Sequence, residues 1–225
     1  MLPTGVVLIA NGGPTSLPPS GRPPAGEPGA DLVAFPKITN IQLLDPEIHH
    51  TYDLGPWPDD YMARGYHGIA LLTKDAKVLI AGGVSLEGPY GVGSERADMR
   101  FYEPGYLHQG ERPQWGDVQE PISMSAGKAR ITIPYAGPDL KEQGGVVLMA
   151  LGSFTHHFDH NQRYLPLKYV RNGNMLEITP PTNTSIAPKG DYILYLVRPS
   201  EITGEKAGML RDFGIPSVGK HVVLN

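Results

Sequence analysis

Short apolar runs cut apart by glycine and proline constrain this chain most. Its 225 residues include 28 glycines and 23 prolines, spread with no fixed period between runs rich in Val, Ile, Leu and Tyr. Such punctuation leaves no room for long helices and predicts many strands joined by turns. The expected class is all-β. Nine segments read as strands: "GVVLIA" (5–10), "HGIALLT" (67–73), "KVLIAGG" (77–83), "ADMRFYE" (97–103), "ARITIPY" (129–135), "GVVLMAL" (145–151), "NMLEITP" (174–180), "DYILYLV" (191–197) and "KHVVLN" (220–225). Helical periodicity is weak throughout, with one short helix expected at most, in 200–214.

Composition narrows the function classes. With 40% hydrophobic and 19% charged residues, the chain can bury a core as one large domain or two smaller ones. The net charge of -4 is spread over mixed clusters, so no basic stripe offers itself to phosphates and nucleic acid is not an expected partner. The longest apolar runs fall far below the roughly 20 residues that cross a bilayer, so no membrane partner is expected. The N-terminal "MLPTGVVLIANGG" lacks a basic leader and makes a poor secretory signal. With no cysteine, neither disulfide nor thiolate chemistry is open to these residues.

An internal echo organises the first half. "VVLIANGG" (6–13) and "KVLIAGG" (77–83) are both strands running into a glycine pair, as repeated propeller blades would be. In the second copy "HGIALLTKDA" supplies a preceding strand and a turn through Lys74-Asp75, completing a hairpin. In the first, only "MLPTG" precedes, so the chain is expected to begin midway through a hairpin. Residues 14–36 carry too many prolines for a sheet and read as a long exposed excursion. A composition break at 107–121 separates this blade-like half from evenly spaced strands that fit an immunoglobulin-like sandwich. The expected domains are 1–111, a partial kelch-like propeller of about two blades, and 112–225, the sandwich.

Histidines supply the candidate chemistry. "GSFTHHFDHNQRYLPL" (152–167) holds His156, His157 and His160. By itself such a cluster reads first as a polar hairpin tip. A zinc or nickel site is the alternative, although neighbouring strand residues face opposite ways and the three imidazoles converge poorly. Tyr66-His67, considered alone, reads as a core tyrosine beside a hydrogen-bonded histidine. His49 and His50 are expected to face solvent, and His108 and His221 to be structural. "GPYGVG" (88–93) lacks the Lys-Ser/Thr of a phosphate loop and reads as a blade connection, and no G-x-S-x-G elbow marks a serine hydrolase.

Four stretches change that balance when taken together: "ARGYHGIALLTKDAKVLIAGG" (63–83), "ERADMRFYEPGYL" (95–107), "GSFTHHFDHNQRYLPL" (152–167) and "GDYILYLVRP" with "GIPSVGKHVVL" (190–224). In this order and spacing the chain resembles the C-terminal part of the galactose oxidase and glyoxal oxidase family, the secreted copper radical oxidases. The resemblance implies kelch-like blades followed by an early-set, immunoglobulin-like domain that sends a hairpin toward the propeller axis. It implies copper held by Tyr66, His67 and His156. Tyr66 would be the axial ligand that takes the substrate proton, with Thr155, Asn161, Gln162 and Arg163 fixing ring orientation and loop shape around it.

Those residue types suit the metal on their own chemistry. Cu(II) favours tetragonal nitrogen and oxygen ligation, which imidazoles and phenolate supply. A free phenol titrates near 10, whereas one held by Cu(II) as phenolate can accept a proton from a primary alcohol. The resemblance also calls for a second tyrosine cross-linked to a cysteine, and no cysteine is present. The expectation is therefore the C-terminal portion of an oxidase of primary alcohols, aldehydes or sugars that reduces O2 to H2O2. This chain would be inactive alone and would need an upstream propeller fragment, and the resemblance implies an extracellular protein. The contrasting expectation is a non-catalytic sandwich that binds glycan or scaffolds.

Overall fold

The computed structural model describes residues 1–10, 40–57, 64, 67–83, 98–155, 158–200 and 213–225. The excursion at 14–36, the "GPYGVG" segment and most of the expected helical stretch lie outside them. Among the described residues the protein is all-β, with one 3-10 turn at Gly105–His108 and no α-helix.

The chain opens with a tight turn where Leu2 N–H donates to the Val6 carbonyl at 2.8 Å, matching the turn chemistry of Pro3-Thr4-Gly5. Strand β1 (Val7–Ile9) then pairs antiparallel with β2 (Asn40–Asp45), and β2 with β3 (His50–Pro56). Neither β2 nor β3 was expected from the sequence. "NIQLLD" and "HTYDLGP" are interrupted by Asn, Asp, Gly and Pro, residues depleted in strands, and pairing defines them: Leu43 lies opposite Tyr52 and Leu44 opposite Thr51. A second three-stranded antiparallel sheet follows, β4 (Gly68–Leu72), β5 (Val78–Gly82) and β6 (Met99–Tyr102), all three at expected positions. The Lys74-Asp75 turn is closed by Thr73 N–H to the Lys77 carbonyl at 2.8 Å, with Ala76 in the left-handed region at φ 63°. These two meanders are the blade-like part.

The sandwich is built from β7 (Ile122–Met124), β8 (Ile131–Pro134), β9 (Val146–Ala150), β12 (Tyr164–Pro166), β13 (Tyr169–Asn172), β14 (Met175–Ile178), β15 (Gly190–Arg198), β16 (Ile215–Pro216) and β17 (Lys220–Leu224). One sheet runs β12-β9-β15-β17-β7, with β16 paired to the end of β15, and the other runs β13-β14-β8. A small hairpin, β10 (Phe154–Thr155) and β11 (Phe158–Asp159), projects between β9 and β12.

The unbroken apolar runs "VVLM" and "YILYLV" are explained by burial on both faces of the central sheet. Strand side chains alternate. Val146, Leu148, Tyr192, Leu194 and Leu196 point into the sandwich core with Ile133, Leu176 and Ile178. Their neighbours Val147, Met149, Ile193, Tyr195 and Val197 point the other way, into a second core shared with Leu2, Val6, Ile41, Ala76, Val78 and Ile80 of the blade-like part. The outer face of the β12-β9-β15-β17-β7 sheet is thus covered by the blades.

Candidate metal centre

The site begins at the entry to β4. His67 is the last residue before that strand and has a left-handed backbone, φ 66°. Histidine visits this region more readily than most residues, yet the conformation still costs on the order of 1 kcal/mol and is held by what surrounds it. Across the ladder, Gly68 pairs with Gly82, itself at φ 62°. A Cβ at Gly82 would lie 3.0 Å from the His67 carbonyl oxygen, so the absence of a side chain there lets the two backbones approach.

Arg64 sits beneath this turn with none of its surface exposed. Its Nη1 donates to the Gly82 carbonyl at 2.7 Å and its Nη2 to Asp98 Oδ2 at 2.6 Å, while Nε has no partner. Sequence reading passed over Arg64. The "RGYHG" context carried the signal, but only the fold shows the guanidinium to be buried.

The second half of the site is the β10–β11 hairpin. Thr155 pairs with Phe158, so residues 156 and 157 alone connect the strands. The hairpin's base is cross-braced. Asp159 Oδ1 accepts from the amides of Ser153 at 2.9 Å and Asn161 at 3.0 Å, and Asn161 Nδ2 donates to the Leu151 carbonyl at 2.9 Å. Asp159 went unremarked in the sequence although the "D-x-N" spacing is that of an Asx turn. Gln162 and Arg163 line a cleft of about 530 Å³ together with Ala70 and Leu72 of β4, Met149 of β9 and Phe154 of β10.

β10 packs on β4, and a Cβ at Gly152 would come within 2.9 Å of Leu71 Cδ2. The strand that follows His67 and the β10–β11 hairpin are therefore neighbours. Tyr66 and His156 themselves lie outside the described residues, and among the described residues no three His, Cys, Asp or Glu side chains are grouped to hold a metal. In donor chemistry, a phenol and two imidazoles fit Cu(II). The remaining histidines are elsewhere. His49 is exposed on the β2–β3 connection and His50 at the start of β3, His108 faces Glu103 at 3.3 Å, and His221 Nε2 lies 2.7 Å from Asp191 Oδ1.

Comparison with known proteins adds to this geometry. No curated protein sequence matches the chain. Among solved structures it is similar to a novel fungal alcohol oxidase of the AA5 family in complex with copper, with a TM-score of 0.64 and 23% identity. The match covers 84% of this chain and 36% of that one, so the chain spans about a third of the length of that structure. This is a likeness of fold, of a partial propeller followed by a β-sandwich. Residues 112–206 match the family model described as "Galactose oxidase-like, Early set domain". Residues 112–206 are thus similar to the early-set domain of galactose oxidase-like proteins.

Proposed function

We propose that this chain is the C-terminal portion of a copper radical oxidase, with residues 1–111 contributing about two blades and residues 112–225 the early-set domain. The full enzyme would convert a primary alcohol to an aldehyde, or the hydrate that an aldehyde forms with water to the acid, passing two electrons and two protons to O2 to give H2O2. Tyr66, His67 and His156 would hold copper, which when bound supplies one of the two electron acceptors this oxidation needs. Tyr66, as phenolate, would accept the hydroxyl proton of the incoming alcohol. Thr155, Gln162 and Arg163 would maintain the hairpin and the wall of the adjoining cleft.

The observation that carries this reading is the packing of the β10–β11 hairpin on β4, the strand that His67 opens in a left-handed conformation. A strained backbone at a candidate ligand, held by tertiary contacts, is what a preorganised site requires. The 225 residues hold no cysteine, so the cross-linked redox partner would come from residues outside them, and the chain alone would not turn over. A propeller closes with about four to eight blades, so an upstream propeller segment is the proposed partner, and the assembled protein is proposed to be extracellular. The scaffolding alternative is weakened on one side only, where the blades cover the outer face of the β12-β9-β15-β17-β7 sheet.

Cu(II) titration of the full chain, followed by EPR, tests the assignment. The expected result is one tetragonal Cu(II) signal with nitrogen hyperfine structure, lost in both His67→Ala and His156→Ala. Unchanged affinity and spectrum in either variant would overturn it.

A further inference from the structure

The short segment that enters β4 is tied at both ends to a single residue of the next strand. At its start the Arg64 guanidinium donates to the Gly82 carbonyl at 2.7 Å, and at its end Gly68 pairs with Gly82 in the β4–β5 ladder. Three residues lie between these anchors, 65–67, and two of them are Tyr66 and His67. We infer that Arg64 is the positioning residue of the candidate metal centre, holding the segment that leads into His67 against Gly82 so that His67 keeps its left-handed backbone. The inference rests on the metal reading above for its functional meaning and on geometry alone for the clamp.

Arginine has the chemistry for the task. Its planar fork offers donors in fixed directions, and here two of them reach acceptors on different elements: the end of β5 at Gly82 and the start of β6 at Asp98, 2.6 Å away. One side chain therefore sets the spacing of three successive pieces of backbone. Stability alone explains it poorly. The guanidinium is fully buried, its Nε is unpaired, and the Asp98 side chain is 40% exposed, so a buried charge is only partly compensated. Apolar replacements of buried ion pairs are often neutral or stabilising, so the cost of this arrangement is more naturally repaid in geometry.

At His67 the backbone would relax toward extended φ if it were free, because no L side chain gains from the left-handed region. The ladder at Gly68 constrains it from one side only. The clamp at Arg64 closes the other side, and Gly82 leaves room for the His67 carbonyl, which a Cβ would approach to 3.0 Å. Lysine at 64 retains the charge but presents one point donor, which cannot bridge Gly82 and Asp98 with the same geometry.

The test uses the full chain and two variants, Arg64→Lys and Asp98→Asn, the second leaving the bond to Gly82 in place. In metal-free protein the Cα and Cβ chemical shifts of His67 report its φ. Arg64→Lys is expected to move them toward extended values while Leu72 and Val78, at the far end of the ladder, keep theirs, and Asp98→Asn to move them less. Cu(II) affinity should fall about 10- to 100-fold in Arg64→Lys, with changed copper hyperfine splitting, as for other residues that orient ligands. A folded Arg64→Lys with wild-type His67 shifts would overturn the clamp, as would a uniform disturbance of all of β4 and β5. If the wild-type chain binds no Cu(II), the metal reading fails, and the His67 shifts alone still decide for or against the clamp.

Discussion

The Tyr195 hydroxyl donates to the Thr73 carbonyl at 2.7 Å, tying the central strand of the sandwich to the hairpin turn of the β4–β5 blade sheet. Burial pushes the Tyr195 phenol well above its ordinary range, so it remains a protonated donor at any working pH. The same turn is held from other directions, by Tyr106 through its hydroxyl to the Ala76 carbonyl at 2.6 Å and by the Gly219 amide to the Lys74 carbonyl at 2.6 Å. The blades and the sandwich are thereby joined by specific bonds as well as by a shared core.

Tyr195→Phe is expected to lower stability by about 1 kcal/mol, because Thr73 O still accepts from the Ala76 amide and only one bond is lost. Urea unfolding of wild type and variant measures this, and a loss above about 3 kcal/mol would mean that the hydroxyl does more than bridge.

Residues 112–225 expressed alone would expose Val147, Met149, Ile193, Tyr195 and Val197, an apolar face that the blades now cover. That fragment is expected to bind a hydrophobic dye strongly and to self-associate, in contrast to the full chain. A monomeric, dye-negative fragment would favour a free-standing binding module.

Glu120 supplies a pH dependence. Burial works against its carboxylate, but hydrogen bonds from Lys74, the His221 amide and Lys220 outweigh it and bring the pKa from 4.5 down to about 2. A depressed carboxylate stabilises the fold above its unfolded pKa, and the contribution fades as pH falls from about 4.5 toward 2. Glu120→Gln should therefore cost about 1–2 kcal/mol at pH 7, discounted for partial exposure, and close to nothing near pH 2. Thermal melts of the pair across that range check the convergence.

Asp159→Ala removes the acceptor for two amides at the base of the β10–β11 hairpin. Global stability is expected to fall by about 1–3 kcal/mol at most, since the hairpin lies outside the sandwich core. Cu(II) affinity should fall about 10-fold or more, because the tip loses its bracing. A titration with unchanged affinity would detach the hairpin from the proposed metal site.

All nine strands expected from the sequence occur, because each is a run of β-branched and aromatic residues closed by glycine, proline or a turn pair. "KVLIAGG" and "DYILYLV" needed no tertiary information to be recognised. β2, β3 and the two-residue strands of the small hairpin were invisible, since they carry strand-depleted Asn, Asp, Gly and Pro or are too short to show a pattern, and they become strands by pairing. Among the site residues, the histidines were legible as chemistry, while Arg64 was not, because nothing in "ARGYHG" says that its guanidinium is fully buried.

Local residue chemistry thus determined the class of fold, the places where strands run and turn, and the types of donor available. Tertiary structure alone decided which strands meet, that the sandwich sheet is buried on both faces, and that β10 lies against β4. The physical reason is range: propensity and turn chemistry act over a few neighbouring residues, whereas the bonds from Arg64 to Gly82 and from Tyr195 to Thr73 span 18 and 122 positions and exist only once the chain has packed.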